Sequence, residues 1–108
     1  MKRLVLASAM LVSLAVGARA TDASALWGDQ CAKCHGEDGK GDTKMGHKLN
    51  IKDFTDAAVQ AGFTDEDGFK AIKEGVADKN GKMRMKPIEG LTDEDMKALV
   101  KYVRTFKK

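Results

Sequence analysis

Cys31-Ala32-Lys33-Cys34-His35 sets two thiols three positions apart, with an imidazole directly after the second. On one helical turn residues i and i+3 share a face. Cys31 and Cys34 can therefore each add to one of the two vinyl groups of a single porphyrin. His35 then sits beside the ring. A neutral imidazole nitrogen is a suitable axial ligand for iron, and the other ring nitrogen is left to donate to a carbonyl that fixes the ring plane. Together these residues form the attachment pattern of one covalently bound c-type haem. Two other uses of the thiols fit less well. A thioredoxin-like dithiol needs a βαβ context, and the chain has no pair of alternating β-branched runs. A structural zinc site needs four Cys or His ligands, and the chain holds only Cys31, Cys34, His35 and His47, with a histidine spacing unlike that of a finger.

Toward the N-terminus, Lys2 and Arg3 precede an apolar run from Leu4 to about Val16, and Ala18-Arg19-Ala20 offers small residues where a signal peptidase reads. This predicts a signal peptide over residues 1–20, removed on export, and a single domain over 21–108. The run is too short to span a bilayer comfortably, and no cysteine lies near the cut to carry a lipid. The mature chain is expected to be a soluble protein of the bacterial periplasm, without stable membrane insertion.

The leader also accounts for the basicity of the whole chain. Lys and Arg number 19 against 16 Asp and Glu; removing Lys2, Arg3 and Arg19 leaves 16 against 16. With two haem propionates added the mature protein is mildly acidic, which argues against nucleic acid as a partner. A domain of this size is marginal on an apolar core alone. A buried porphyrin with iron ligands from both halves of the chain would complete the core, and linkage between metal site and folding predicts a largely unfolded apo-chain.

Apolar spacing and caps predict an all-α domain of about four to five helices and loops, with no convincing strand. Ala23, Leu26, Trp27, Gln30, Cys31 and Cys34 recur at helical spacing behind a cap at Thr21, Asp22 or Ser24. A Gly- and Lys-rich loop follows from Gly36 to Lys52. Asp53 to Gly62 reads as a short helix. Thr64-Asp65-Glu66-Asp67 opens another that stops at Gly75, with Phe69, Ile72 and Val76 on its apolar side. The last helix is capped by Thr92, carries Asp93, Glu94 and Asp95 in its first turn, staples Leu91 to Met96, and buries Met96, Leu99, Val100, Val103 and Phe106.

With these residues in place, the mature chain resembles class I cytochrome c over almost its whole length. The likeness rests on Cys31-Ala32-Lys33-Cys34-His35-Gly36, on Gly46-His47-Lys48-Leu49 where the family usually has Gly-Pro-x-Leu, and on Leu91-Thr92-Asp93-Glu94-Asp95 leading into Leu99-Val100-Lys101-Tyr102-Val103. The resemblance implies a helical fold wrapped around one haem, with Ala23 and Trp27 crossing the last helix near Leu99 and Tyr102. It also implies a methionine sulfur as the second axial ligand. Met96 lies on a core stripe and Met45 only ten residues past His35, which leaves Met83 and Met85. The family's ligand typically precedes a proline by one or two residues, so Met85, just before Pro87, is preferred and Met83 is the runner-up. His47 is a rival ligand that would give bis-histidine iron of lower potential. In the family pattern, however, it takes the proline slot, whose backbone carbonyl accepts from the proximal imidazole.

The function implied is one-electron transport through a haem with His35 and Met85 as axial ligands, without catalysis of its own. The alternative is a bis-His or ligand-binding haem protein with a peroxidase or sensor role. Lys40, Lys44, Lys48 and Lys52, with Lys79, Lys82, Arg84 and Lys86, form two basic loops. If these flank the haem edge they would steer a monomeric carrier into transient docking with acidic redox proteins.

Overall fold

The computed structural model describes residues 22–108. They form α1 (Ala23–Gln30), α2 (Ala32–His35), α3 (Lys44–Leu49), α4 (Ala57–Ala61), α5 (Asp65–Glu74), the two strands β1 (Val76–Ala77) and β2 (Met83–Met85), and α6 (Asp93–Arg104). The expected leader lies outside the described residues.

The two longest of these helices begin with the same four letters, Thr-Asp-Glu-Asp. At α5 the Thr64 hydroxyl accepts from Asp67 N–H and the Asp67 carboxylate accepts from Thr64 N–H. At α6 Thr92 and Asp95 do the same. Each reciprocal pair satisfies two N–H groups that the first turn leaves without partners, and each sets acid against the positive end of the helix dipole. Gly75 ends α5, and its N–H reaches back to Ala71. The predicted caps stand at both helices.

α6 packs on α1 along one side and on α5 along another. Leu99, wholly buried, joins Trp27, Cys31, Ile72, Met96, Val100 and Val103 in the core, with Leu91, Tyr102 and Phe106 packed against it. The expected crossing of Trp27 with the last helix is present, its ring 6.0 Å from Tyr102 and 5.1 Å from Phe106. The all-α class I architecture stands, with six helices among the described residues in place of four to five.

Three local expectations are corrected. The first helix does not run unbroken to Cys34: it breaks at Cys31, whose φ of −122° makes it at once the end of α1 and the start of α2. The loop from Gly36 to Lys52 contains α3, capped by the Thr43 hydroxyl on Gly46 N–H and closed by Asn50 in the left-handed region. Gly46 masks that helix in sequence because glycine lowers helix propensity. Here it is required, since a Cβ at Gly46 would run into the Gly41 carbonyl. Finally, the segment after Gly75 holds an antiparallel pair, β1 with β2, in which Val76 faces Met85 and Ala77 faces Met83 across an irregular register. Val76, expected on the apolar side of α5, is instead exposed in β1.

Candidate functional site

The histidine side of the site is built from the C-terminal carbonyls of α2. Such carbonyls have no partner within their own helix, and here each finds one elsewhere in the chain. The Thr43 hydroxyl donates to Cys34 C=O at 2.6 Å, Gly41 N–H to His35 C=O at 2.7 Å, and Trp27 Nε1–H to Gly36 C=O at 2.9 Å. The turn bearing Cys34 and His35 is thus tied to α1, to α3 and to the glycine loop between them. The His35 ring stacks on Phe54, with centroids 5.1 Å apart and planes 19° apart, and lies 5.5 Å from Trp27.

The methionine side comes from β2. Met85 is half-buried and Met83 is 45 % exposed. The Arg84 side chain donates to the Leu49 carbonyl and so links β2 to the end of α3. Ile88 N–H donates to the Ile72 carbonyl at 2.9 Å, holding the segment after Pro87 on the last turn of α5.

Between these two sides lies a cleft with two lobes. The inner lobe is a cavity of about 180 Å³ with almost wholly apolar walls, including Trp27, Cys31, Ile72, Leu99, Val100 and Val103. The outer lobe is a wider groove of about 960 Å³, bounded by Leu49, Ile51, Lys52, Val59 and Arg84 among others. His35, Phe54, Phe63 and Met85 line both. Met83 and His47 line neither. His47 is exposed and its Nε2 lies 2.6 Å from Asp42 Oδ1.

Electrostatics in the cleft follow from burial. Desolvation pushes the Cys31 thiol up to about 11, and the neighbouring Cys34 sulfur adds to this by repulsion. A thiol held so far into its protonated form is a poor nucleophile for disulfide exchange. Burial lowers the His35 value, keeping the imidazole neutral near pH 7, the form that binds metal. Its Nδ1 is buried without a hydrogen-bond partner. The expected carbonyl bond is not formed: the His47 carbonyl accepts from Asn50 N–H instead. A buried polar atom left unpaired costs about 1–3 kcal/mol.

An apolar inner lobe lined by the free Cys31, with the free Cys34 three residues on and outside the lining, and a neutral histidine with an orphaned nitrogen and a thioether that line both lobes, suit a flat apolar group bearing iron. The residues present fit haem c.

Sequence reasoning missed the support behind this cleft. Gln60 is the one buried polar side chain among the described residues. Its amide donates to the Phe54 carbonyl at 2.6 Å and the Val103 carbonyl at 2.9 Å, while its side-chain oxygen accepts from Arg104. Arg104 also donates to the carbonyls of Gln60 and Phe63 and to Asp65, and its guanidinium lies 4.1 Å from the centre of the Phe63 ring. The pair thereby holds Phe54 and Phe63, both cleft walls, to α6. No spacing in the sequence marks partners more than forty residues apart.

Comparison with known proteins agrees with the geometry. The cytochrome c family model matches residues 20–107. No curated protein sequence matches the chain. Among solved structures, the KustC0563 c-type cytochrome is 40 % identical, with a TM-score of 0.69 over 81 % of this chain and 99 % of that one. A tyrosine-to-phenylalanine mutant of Kustc0563 is 39 % identical, with a TM-score of 0.66 over 80 % and 99 %. A chain of the Kuenenia stuttgartiensis reducing HAO-like protein complex Kustc0457/Kustc0458 is 27 % identical, with a TM-score of 0.60 over 79 % of this chain and 41 % of that one. The chain belongs to the cytochrome c family, and its cofactor is a single covalently bound haem c.

Proposed function

We propose that this protein is a soluble periplasmic carrier of single electrons, in which Cys31 and Cys34 hold the haem through thioethers and His35 and Met85 are the axial ligands. The observation that carries this reading is the cleft in which His35 and Met85, from opposite halves of the chain, line both lobes. Haem iron supplies one centre that gains and loses a single electron. The protein's own residues determine how that happens. His35, kept neutral by burial, and Met85, a neutral thioether, leave ligand charge unchanged between oxidation states, and a sulfur ligand favours the reduced form and a relatively high potential. Phe54, Phe63, Ile72 and Leu99 exclude water from the inner lobe. With both axial positions filled from the chain, no open position remains for a substrate, and the protein passes electrons without catalysing a reaction of its own.

Residues 1–20 serve on this reading as an export signal, and the mature chain works as a monomer. Lys40, Lys44, Lys48 and Lys52 with Lys79, Lys82, Arg84 and Lys86 are all exposed, and they would draw in an acidic redox partner for brief docking. Electron exchange with such a partner should slow as ionic strength rises, because the Debye length shortens. A rate independent of salt would remove the lysines from the account. One neighbour in fold belongs to a redox protein complex, which supports a protein partner in place of a small substrate.

The deciding experiment is the absorption spectrum, oxidised and reduced, of protein exported through a cytochrome c maturation system. Covalent low-spin haem with the weak far-red sulfur-to-ferric-iron band is expected, and Met85→Ala should abolish that band. Low-spin haem without the band would transfer the ligand role to His47. A high-spin spectrum, or ready carbon monoxide binding by the reduced protein, would favour the sensor or peroxidase alternative.

A further inference from the structure

Gly75 is the C-cap of α5, and its backbone, φ 80° and ψ −178°, is outside the left-handed helical region where such caps usually sit. That combination is essentially confined to glycine. It turns the chain out of α5 so that β2 folds back across the helix end. The closeness of this approach appears when a Cβ is placed on Gly75: it would lie 2.5 Å from the Met85 carbonyl oxygen, 2.7 Å from Met83 Cε and 2.9 Å from Pro87 Cδ. Only the Met83 methyl is the end of a flexible side chain. The Met85 carbonyl is backbone and the Pro87 carbon is locked in a ring, so a side chain at position 75 must displace the segment from Met85 to Pro87 bodily.

Other anchors hold the hairpin around that contact: Val76 pairs with Met85 across the strands, and the Arg84 side chain donates to the Leu49 carbonyl. Asp78 N–H donates to the Lys82 carbonyl, the Asp78 carboxylate accepts from Asn80 and Lys82 N–H, and Ile88 N–H donates to Ile72. These bonds hold the hairpin tip and the exit of the strand. Between them, Met85 rests on Gly75.

We infer that Gly75 is a positioning residue for the Met85 sulfur: its missing side chain is what lets β2 lie close enough to α5 for Met85 to enter the cleft opposite His35. The inference rests on Met85 being the axial ligand. Its natural controls are Gly81 and Gly90, which share the positive φ, each at 79°, but have nothing within 4 Å of a Cβ. Alanine at these positions brings a disfavoured φ without the collision.

The test uses mature holoprotein of the full chain. Gly75→Ala should weaken or abolish the far-red sulfur band, lower the potential and let carbon monoxide bind the reduced protein, while Gly81→Ala and Gly90→Ala keep the band and exclude carbon monoxide. Gly75→Ala with an unchanged band and no carbon monoxide binding overturns the inference and leaves the Met85 reading intact. So does Gly81→Ala weakening the band as much as Gly75→Ala. A Met85→Ala protein that keeps the band overturns the ligand reading and the inference with it. Should Gly75→Ala not accumulate, Pro87→Ala is added to remove one of the two rigid contacts. Recovered holoprotein with a weakened band supports the inference, and a double variant that still fails to accumulate, or that shows the full band, overturns it.

Discussion

The two sides of the haem cleft are built to different standards. On the histidine side, three successive carbonyls, those of Cys34, His35 and Gly36, each receive a donor from a separate part of the chain, and the imidazole packs against Phe54 and Trp27, which also touch each other. On the methionine side, a three-residue strand pairs with a two-residue one, Met83 and Val76 face solvent, and the segment is held by single hydrogen bonds from Arg84 and Ile88 and by its close approach to Gly75. The difference teaches where the molecule can yield: if Met85 ligates the iron as proposed, the hairpin is the side expected to give way first, with the histidine side keeping its place.

The most drastic way to break this comparison is to remove the thioethers. In a Cys31→Ser/Cys34→Ser protein the histidine side loses the group that its packing surrounds, and the native near-UV dichroism should disappear. A native-like near-UV spectrum in haem-free protein would mean that the hydrogen-bonded turn is rigid by itself. Next comes the floor shared by both sides. Leu99→Ala, at a wholly buried position, should cost about 2–5 kcal/mol in denaturant unfolding while the far-red band remains, since neither ligand is touched. Behind the floor, Arg104→Lys keeps the charge but loses the planar fork that reaches Gln60, Phe63 and Asp65 together. A loss of about 1–3 kcal/mol is expected, and an unchanged unfolding midpoint would show that the Gln60 amide on Phe54 and Val103 suffices and that the Arg104 bonds to Phe63 and Asp65 add nothing.

Smaller effects sharpen the comparison within the hairpin and at the helix ends. Met83→Ala should leave the spectrum unchanged and stability within about 0.5 kcal/mol, in contrast to Met85→Ala; loss of the band in the Met83 variant would reverse the assignment of the sulfur. The last effect is one of pH. Hydrogen bonds from the Thr64 N–H and hydroxyl hold the Asp67 carboxyl below its ordinary value of 3.8, and those from Thr55 do the same for Asp53. In the window between the folded and unfolded values the unfolded chain binds more protons, so stability rises with pH there. The contribution is therefore complete above about pH 4 and fades as pH falls through the lower, folded values. Asp67→Asn, which removes the titrating group itself, should flatten the acid limb of a stability profile, and a limb of unchanged steepness would remove the capping box from the acid response.

What could be read from the sequence was what is local. The cysteines and histidine of the attachment motif lie within five residues, and the caps of α5 and α6 each lie within four, so their chemistry is written in adjacent letters. α3 was hidden because Gly46 and four lysines read as loop, although Thr43 stood in the right place to cap a helix. The hairpin was hidden because two-residue β1 has no periodicity to detect. Gln60 and Arg104 were invisible for a different reason: a buried amide bridging Phe54 and Val103 has meaning only once α4 and α6 lie side by side. The apolar stripe of α6 and the crossing with Trp27 were legible because amphipathic spacing and the family likeness pointed to the same face.

Trp27 is the sole tryptophan of the chain, and its ring lies 5.5 Å from that of His35. Indole fluorescence falls in a region where porphyrins absorb, and energy passes between such groups over distances far longer than this. The native holoprotein is therefore expected to be nearly dark, and to brighten only when α1 moves away from the haem. The hydrogen bond that ties the attachment turn to α1 thus places a light-emitting gauge at the cofactor's edge, one that reports opening of the molecule without any added label.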